Sequence, residues 1–557
     1  MIASSTIKTL RAACLKTQST SEYITGLTSS QRNDILMKNL KIYSCSILSI
    51  FLMLFSCTKD LDQYPTVQTT SEAVYTSVAG YRSVLAKLYA SFAVAGNGRG
   101  DADPDMAGAT ASWGYLRVFF NLQEVPTDEV IYTWAGGDNM EDIQYVKWGA
   151  SDTWVNAMYY RIYYSIALCN EFLRNVTAEK LAAFDPAERA EIERFAAEAR
   201  FLRALTYSHA MDLYGHVPFV TEKDPVAAFF PPRIARADLF NYIEQELIAV
   251  ADLLPEARQN QYGHVSRAAA WALLAKNYLN AQIYTGTARY ADCLLYSKKV
   301  IDSGHTLHND YKQLFNADND KRLNEIIFQI QADVAHTTSW GATTYLVNGP
   351  IVGSMQAADY GVISGWNSFR TLREFVSIFN ANDKRGDFWT KGQSLDVDDP
   401  ASSSQGYGMV KFTNLNDDGT YKTDEGLVST DFPMIRLADS YLMYAESVLR
   451  GGGGNIQEAL NLVNQIRQRA YKGSAGAITQ AQLTLDFILD ERGRELFWEC
   501  TRRTDLIRFG RFTGNTYLWQ WKGGTVNGSS VDAKFNLYPI PTTDMTANPN
   551  LVQNTGY

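Results

Sequence analysis

The sequence contains few cysteines and histidines, which excludes chemistry that depends on clusters of them. Its 557 residues include six of each. Beyond Cys57, only Cys169, Cys293 and Cys500 remain. Three widely separated cysteines form neither a disulfide framework nor a CxxC metal site, so we expect them to be small buried residues. The histidines show no HExxH motif and no other metal-ligand spacing.

An excess of positive charge is also missing. The formal net charge is −9, and because residues 1–56 carry six Lys and Arg against two Asp and Glu, the remainder is near −13. A nucleic-acid partner needs a basic face, so we expect none. No G-x-S-x-G nucleophile elbow is present. The glycine run at 451–454 lacks the ending of a phosphate loop and is interpreted as a linker. No cofactor is expected.

Long apolar runs are scarce, and the one near the N terminus, residues 42–56, is too short to span a bilayer comfortably. It follows a short charged stretch and ends on Leu-Phe-Ser-Cys, an order that resembles a bacterial lipobox. We therefore interpret residues 37–56 as a lipoprotein signal peptide and Cys57 as a lipidated anchor. The alternative is an ordinary secretory signal with an incidental cysteine. Residues 1–36 are interpreted as lying upstream of the true start at Met37.

Helical patterns dominate the chain after Cys57. In the clearest one, Asp185 is a candidate N-cap, Pro186 suits the first helical position, Glu188 completes a capping box and Gly215 marks the end. The spacing of apolar residues predicts further helices at 71–94, 153–176, 238–254, 266–284, 290–301, 432–450 and 455–470.

The last four of these helices form two hairpins of about 34–40 residues, the size of a tetratricopeptide unit. Such units stack so that neighbours bury each other's apolar faces. Between about 305 and 430 the pattern changes to an irregular, aromatic-rich insert with short predicted strands in "NEIIFQIQ" and "GMVKFT". The expected fold is mostly α, a tetratricopeptide-type scaffold with an insert that shapes a ligand-binding site.

Several long segments resemble the SusD/RagB family of outer-membrane lipoproteins. They include the Cys57-"TKDLDQYP" start, "EARFLRALTYSHAMDLYGHVPFV", "DFPMIRLADSYLMYAES", "ERGRELFWECTRRTDLIRFGRF" and the C-terminal "LYPIPTTDMTANPNLVQNTGY". They occur in the family's order over residues 57–557, which we interpret as a single domain. One departure is Cys500, where the family commonly has glycine.

The resemblance implies a non-catalytic lipoprotein on the outer face of the outer membrane. It would bind an oligosaccharide, with malto-oligosaccharide as the leading candidate, and deliver it to a TonB-dependent, SusC-like transporter. A peptide- or protein-binding lipoprotein is the alternative, followed by a glycoside hydrolase, which requires a carboxylate pair across a cleft. Glu198, Glu446 and Glu495 lie beside Arg and Lys in the sequence, which favours structural ion pairs.

Aromatic residues make up 12% of the chain, with 32 Tyr and 11 Trp. Their flat apolar faces suit both a core and a sugar-binding surface. Two aromatic stretches, 100–139 and 339–369, are the candidates for such a surface. By similarity to the starch-binding members of the family, we expect stacking platforms at Trp134, Trp366 and Tyr345. We expect hydrogen-bonding side chains at Asn139 and Arg117. Packing inside the scaffold is the alternative for each residue, and for Arg117 it is favoured.

The segment "NLNDDGTYKTDE" has an EF-hand-like spacing of oxygen ligands. The candidate calcium ligands are Asn414, Asn416, Asp418 and Glu425. The first position is Asn where such loops have Asp, and a strand-like segment precedes it in place of a helix. A solvated turn is therefore the favoured interpretation.

Overall fold

The computed structural model describes residues 71–557 except 109 and 227–228, together with residues 28–30, 33 and 37. The chain divides into two units, Met1–Val74 and Tyr75–Tyr557. Helix α1 (Ser71–Val74) belongs to the first unit, and all elements named below belong to the second. The predicted lipid anchor Cys57 lies outside the described residues.

The second unit is mainly helical. In chain order its helices are α2 (Val78–Ala93), α3 (Tyr115–Gln123), α4 (Glu141–Gln144), α5 (Thr153–Arg174), α6 (Ala178–Leu181), α7 (Pro186–Leu213), α8 (Arg236–Ala251), α9 (Arg267–Leu279), α10 (Ala281–Thr285), α11 (Tyr290–Ile301), α12 (Thr343–Asn348), α13 (Arg373–Val376), α14 (Leu437–Leu449), α15 (Ile456–Ala470), α16 (Leu485–Leu496), α17 (Arg502–Arg508) and α18 (Thr542–Ala547).

Helix α7 begins and ends where its capping residues predict. The Asp185 carboxylate accepts hydrogen bonds from the backbone N–H groups of Ala187 and Glu188, and the Glu188 side chain completes the capping box. Pro186 is the first helical residue. Gly215, two residues after the helix, has φ +73°, a left-handed conformation that glycine adopts without a steric penalty.

The long helices pack side by side in chain order. Helix α7 packs against α2, α5 and α8, while α8 also packs against α9. The series continues through α9 with α11, α11 with α14, and α14 with α15. Neighbouring helices that bury each other's apolar faces make up the expected tetratricopeptide-type scaffold, so the predicted mostly α fold is confirmed.

The irregular insert leaves the scaffold after α11 and returns at α14. Its strand β4 (Ile326–Ile330) pairs antiparallel with β8 (Phe432–Arg436), which closes the base of the insert. The other pairs, all antiparallel, are β1 (Ile131–Tyr132) with β5 (Phe369–Arg370), β2 (Val217–Pro218) with β3 (Arg233–Ile234), and β6 (Phe388–Trp389) with β7 (Gly408–Met409).

The predicted strands in "NEIIFQIQ" and "GMVKFT" correspond to β4 and β7 and are confirmed. The prediction of a helix from residue 432 is wrong for its first five residues. They form β8, because β4 offers them a hydrogen-bonding edge, and helix α14 begins only at Leu437.

The three cysteines of this unit are buried and unpaired, as expected. Burial raises the pKa of the Cys169 and Cys293 thiols to about 12, so both stay protonated at neutral pH. None of the helices in the described part of the chain combines the length and apolar character needed to cross a bilayer.

A buried ion network joins the insert to the scaffold. Glu495 on α16 pairs with Arg385 of the insert at 2.9 Å, with Arg436 of β8 at 2.6 Å, and with Arg469 of α15. Arg385 also pairs with Glu491 at 2.9 Å. Burial alone would raise the pKa of Glu495, but the three guanidinium groups outweigh it and lower the pKa to about 2. The carboxylate therefore stays ionised and holds three separate segments together.

The expected structural ion pairs are present at Glu495 and also at Glu446, which binds Arg508 through two contacts of 2.7 and 2.9 Å. Glu198 differs from the expectation. Its carboxylate accepts hydrogen bonds from the Tyr89 hydroxyl at 2.5 Å and contacts His264 Nδ1 at 2.8 Å.

We predict that Glu495→Gln lowers the free energy of unfolding by about 3–5 kcal/mol, since it removes a negative charge that three buried guanidinium groups share. Urea unfolding at neutral pH measures this loss. Because the pKa of Glu495 is about 2 when folded and near 4.5 otherwise, its contribution is complete above about pH 4.5 and is lost as the pH falls toward 2.

Asp302→Asn is the matched control, since Asp302 pairs with Lys298 on the surface with 58% of its side chain exposed. We expect it to change stability by no more than about 0.5 kcal/mol. A Glu495→Gln variant as stable as the control, with the same acid dependence as the parent protein, would contradict the assigned role of the network.

Candidate ligand-binding site

The two aromatic stretches meet through the short strands β1 and β5. Ile131 lies opposite Arg370 and Tyr132 lies opposite Phe369. The pairing is extended by a hydrogen bond of 2.9 Å from the Thr133 backbone N–H to the Ser368 carbonyl. Residues that follow β1 and precede β5 are therefore held side by side.

The segment before β1 is fixed from behind by residues 498–502. The Glu129 carboxylate accepts a hydrogen bond of 3.0 Å from the backbone N–H of Trp498, and Asp128 pairs with Arg502 at 2.6 Å. The Trp498 ring lies 6.0 Å from the Phe369 ring. One buried segment thus supports both strands of the pair.

Trp134 lies at the surface with 52% of its area exposed. Its indole N–H donates a hydrogen bond of 2.9 Å to the backbone carbonyl of Trp366, which fixes the ring's orientation. The backbone N–H of Asp138 donates to the Trp134 carbonyl at 2.9 Å and closes the turn that carries the ring. A large aromatic face is therefore held open to solvent by the second stretch.

Trp366 is half-buried and is surrounded by two other aromatic rings. Its centroid lies 6.4 Å from that of Trp340 and 6.3 Å from that of Tyr345, with both pairs of planes tilted by 48°. Tyr345 is only 1% exposed, and its hydroxyl donates to Asn121 Oδ1 at 2.9 Å. The structure thus places Tyr345 as a support for Trp366 and gives it no open face for stacking, in contrast to its expected role.

Asp101 forms a second connection between the two stretches, which the sequence did not reveal. One carboxylate oxygen accepts hydrogen bonds from the Ser339 hydroxyl at 2.8 Å and from the Trp340 backbone N–H at 2.9 Å. The other accepts from the Ala95 backbone N–H at 2.8 Å. Burial raises the pKa of Asp101, against the lowering effect of these hydrogen bonds. A single Asp in a loop carries no pattern that would predict such a role.

Arg117 lies next to these rings. Its guanidinium carbon is 4.6 Å from the Tyr345 ring centroid and 5.4 Å from that of Trp154, and its Nη2 lies 3.8 Å from an Asp138 carboxylate oxygen. These contacts fit the favoured structural interpretation. The guanidinium nevertheless makes no direct hydrogen bond within the described residues and keeps 21% of the side chain exposed, so it retains donors for a ligand.

Asn139 is exposed and adopts a left-handed conformation with φ +54°. It follows Asp138, whose carboxylate accepts a hydrogen bond from the Tyr132 hydroxyl. The structure therefore brings four predicted residues to one region of the surface, namely Trp134, Asn139, Trp366 and Arg117. The side chains that connect them are Asp138, Tyr132 and Tyr345.

The candidate calcium ligands are engaged elsewhere. Asn414 is fully buried, and its Oδ1 accepts from the Ser429 backbone N–H at 2.9 Å. Asn416 and Asp418 both bind Thr420, at 3.0 and 2.6 Å. Glu425 lies 3.6 Å from Arg99. Within the described residues, no group of three or more His, Cys, Asp or Glu side chains is arranged to hold a metal. Asp418 and Thr420 lie in an exposed turn, whereas Asn414 is buried.

The family model described as "SusD family" matches residues 316–557, and that described as "Starch-binding associating with outer membrane" matches residues 121–279. The starch-binding protein SusD of Bacteroides thetaiotaomicron is 32% identical over 93% of this chain and 98% of its own length. The SusD-like protein P2 of Formosa agariphila is 23% identical over 93% of this chain and all of its own length.

Solved structures show the same fold. A SusD homologue from Bacteroides thetaiotaomicron superimposes with a TM-score of 0.67 over 88% of this chain and 99% of its own, at 20% identity. Surface glycan-binding protein A from the same species, solved in complex with laminarihexaose, gives a TM-score of 0.65 over 86% of this chain and all of its own, also at 20% identity.

We predict that Gly100→Ala displaces the Trp340 ring. Gly100 has φ +61°, and a Cβ atom there would lie 2.5 Å from the indole nitrogen of Trp340. The backbone strain alone should cost about 1–2 kcal/mol, and the steric contact adds to it. Near-ultraviolet circular dichroism reports the ring's displacement, and thermal unfolding reports the loss of stability.

Gly419→Ala is the matched control, since Gly419 has φ +81° but no atom within 4 Å of the added Cβ. This variant should lose only the free energy that the backbone strain costs, and its near-ultraviolet circular dichroism spectrum should stay unchanged. Identical spectra for the two variants would show that Gly100 does not govern the position of Trp340.

Proposed function

This chain belongs to the SusD family, and from that premise we propose that it is a non-catalytic cell-surface lipoprotein that captures oligosaccharide. It delivers the captured ligand to a TonB-dependent, SusC-like transporter in the outer membrane. The proposal rests on the aromatic surface that Trp134, Trp340 and Trp366 form. We call this surface the tryptophan site.

The open face of Trp134, tethered to the Trp366 carbonyl, is the observation that carries the proposal. Half the area of this ring stays in water, and the CH face of a sugar ring can cover it. The tether and the Tyr345 support fix the rings before a ligand arrives. A preformed site loses less conformational entropy on binding than a flexible one.

Polar side chains around the tryptophan site suit the hydroxyl groups of a sugar. Asn139 offers an amide with both donor and acceptor atoms, Arg117 offers donors, and Asp138 offers acceptors. Arg117 and Asp138 lie 3.8 Å apart and balance each other's charge, which favours a neutral ligand.

Malto-oligosaccharide is the ligand we favour. The starch-binding protein SusD matches this chain at 32% identity over nearly its whole length. The laminarihexaose-bound neighbour shares only the fold, at 20% identity, so it supports a β-glucan less strongly. In starch fragments successive glucose rings turn relative to one another, and the 48° tilt between the Trp340 and Trp366 rings gives the site two surfaces inclined to each other.

The proposed location is the outer membrane, with lipid on Cys57 as the anchor. The lipobox-like sequence before Cys57 supports it, as does the family description of a starch-binding protein that associates with the outer membrane. Anchoring raises the local concentration of captured ligand beside the transporter.

We predict that Trp134→Ala and Trp366→Ala each weaken binding of maltoheptaose by about tenfold or more, because each removes a stacking platform at the centre of the site. Isothermal titration calorimetry and electrophoresis in gels that contain amylopectin or laminarin measure the change. Chromatography of the incubated glycans should show no shortened products.

Trp271→Ala is the matched control. Trp271 is a half-buried tryptophan on α9 beside Lys299, outside the tryptophan site. Unchanged affinity in both site variants, or binding of peptides in place of every glycan tested, would remove the proposed function. Shortened glycans would favour a hydrolase.

We further predict that Cys57→Ala moves the protein from the membrane fraction to the soluble fraction of its native host, since no acyl chains can then be attached. Cell fractionation and surface labelling measure this, with Cys169→Ala as the control for loss of a thiol. A Cys57→Ala protein that stays with the outer membrane would exclude the lipid anchor.

A further inference from the structure

A second groove in the insert combines aromatic and polar side chains in the way that a sugar site requires. It has a volume of about 520 Å³. Its apolar lining includes Trp389, Phe388 and Tyr360, all half-buried, together with Met355 and Val410. None of these residues belongs to the tryptophan site.

The position of Trp389 is fixed before any ligand binds. Strand β6, which carries it, pairs with β7, and its indole N–H donates to the Ser354 hydroxyl at 3.3 Å. Gly408 lies opposite Trp389 in the strand pair, and there is no space for a side chain at this position. A Cβ atom there would lie 2.9 Å from Val352 and 3.2 Å from the Trp389 Cβ. The ring is therefore held by close packing, while its remaining surface lines the groove.

The carboxylates around the groove are almost all neutralised by nearby cations. Asp387 pairs with Lys312 at 2.6 Å, and Asp310 pairs with Lys472 at 3.1 Å. Asp417 pairs with Arg322. Asp359 has no ion pair with any described residue. An acidic groove would select a cation, but a groove with balanced charge selects a neutral ligand.

The groove is lined by acceptors, including the Asp359 and Asp387 carboxylates, and by donors, including Lys312 and Gln313. Asn316 is 7% exposed and donates to Asp417 Oδ1 at 2.8 Å, but its own Oδ1 has no partner within the described residues. That oxygen is buried, so a ligand in the groove does not reach it. The Asp359 and Asp387 carboxylates line the groove and favour a ligand with several hydroxyl donors.

The same loop shapes this groove and the tryptophan site. This loop consists of residues 351–360. The Ile351 carbonyl accepts a hydrogen bond of 3.1 Å from the Asn367 backbone N–H, and the Gly353 N–H donates to Asn367 Oδ1 at 3.0 Å. Asn367 directly follows Trp366, while Met355 and Tyr360, farther along the loop, line the second groove. Residues 351–360 thus contact the segment that carries Trp366 and also line the second groove.

We propose that this groove is a second carbohydrate-binding subsite, which takes a neutral sugar unit stacked on Trp389 and Tyr360. The inference rests on the proposed function, since the ligand of the tryptophan site is also a neutral glycan. Two subsites on one protein increase the retention of a long polysaccharide more than that of a short oligosaccharide, because the second contact is intramolecular.

Trp389→Ala and Asp359→Ala test the proposal in the full-length protein, with Trp271→Ala as control and circular dichroism as a check of folding. We expect Trp389→Ala to reduce retention on amylopectin gels by about threefold or more. The Trp366→Ala/Trp389→Ala double variant should bind less than either single variant. Maltoheptaose titrations should show a second, weaker site that Trp389→Ala removes.

Asp359 is exposed, so its substitution tests the groove even if Trp389→Ala does not fold, and it should reduce retention in the same direction. Unchanged retention and stoichiometry in both groove variants, with Trp366→Ala still defective, would overturn the second subsite and leave the proposed function intact. If the unmodified protein binds none of maltoheptaose, amylopectin and laminarin, both proposals fail. Binding of polylysine that depends on Trp389 would also contradict a neutral ligand.

Discussion

The antiparallel pairing of Ile131–Tyr132 with Phe369–Arg370 is the contact on which the tryptophan site depends. Trp134 and Trp366 are 232 residues apart in the chain, and this pair of two-residue strands brings them within one hydrogen bond of each other. So short a pairing has little stability of its own. It persists because residues 498–502 bind the segment before β1 and pack against β5, while Asp101 connects the same two stretches at a second point.

The buried ions explain why a scaffold of helices can hold an irregular insert rigidly. Glu495 binds arginines from the insert, from β8 and from α15 at once. A network of this kind need not add net stability, but the loss of one of its members destabilises the arrangement that it joins. The backbone of the same region is also unusual, since Trp498 and Cys500 have φ +59° and +60°. A residue with a Cβ atom adopts this conformation at a cost in strain, and the ion pairs of the nearby Glu499 and Arg502 fix the chain there.

The sequence predicts those elements whose structure depends on interactions between residues close together in the chain. The capping box at Asp185 and the apolar spacing of the hairpins predict the scaffold, because helix signals lie within a few residues of one another. Strands β1 and β5 were not predicted, since two residues carry no periodicity and the partner is distant. For the same reason the sequence predicts a helix at Phe432–Arg436 and a stacking platform at Tyr345, whereas the structure has a strand and a buried ring. Burial at these positions is set by long-range packing against residues such as Asn121 and Phe369.

A crystal structure of the protein with bound maltoheptaose tests the central claim most directly, namely that Trp134 and Trp366 form a surface already shaped for carbohydrate. We predict sugar rings within about 4 Å of both indole faces, and a backbone displaced by less than about 1 Å around Asp138 and Asn367. Both tryptophan faces free of sugar while the glycan binds elsewhere would contradict the account. A large rearrangement of the β1–β5 pair on binding would contradict it as well.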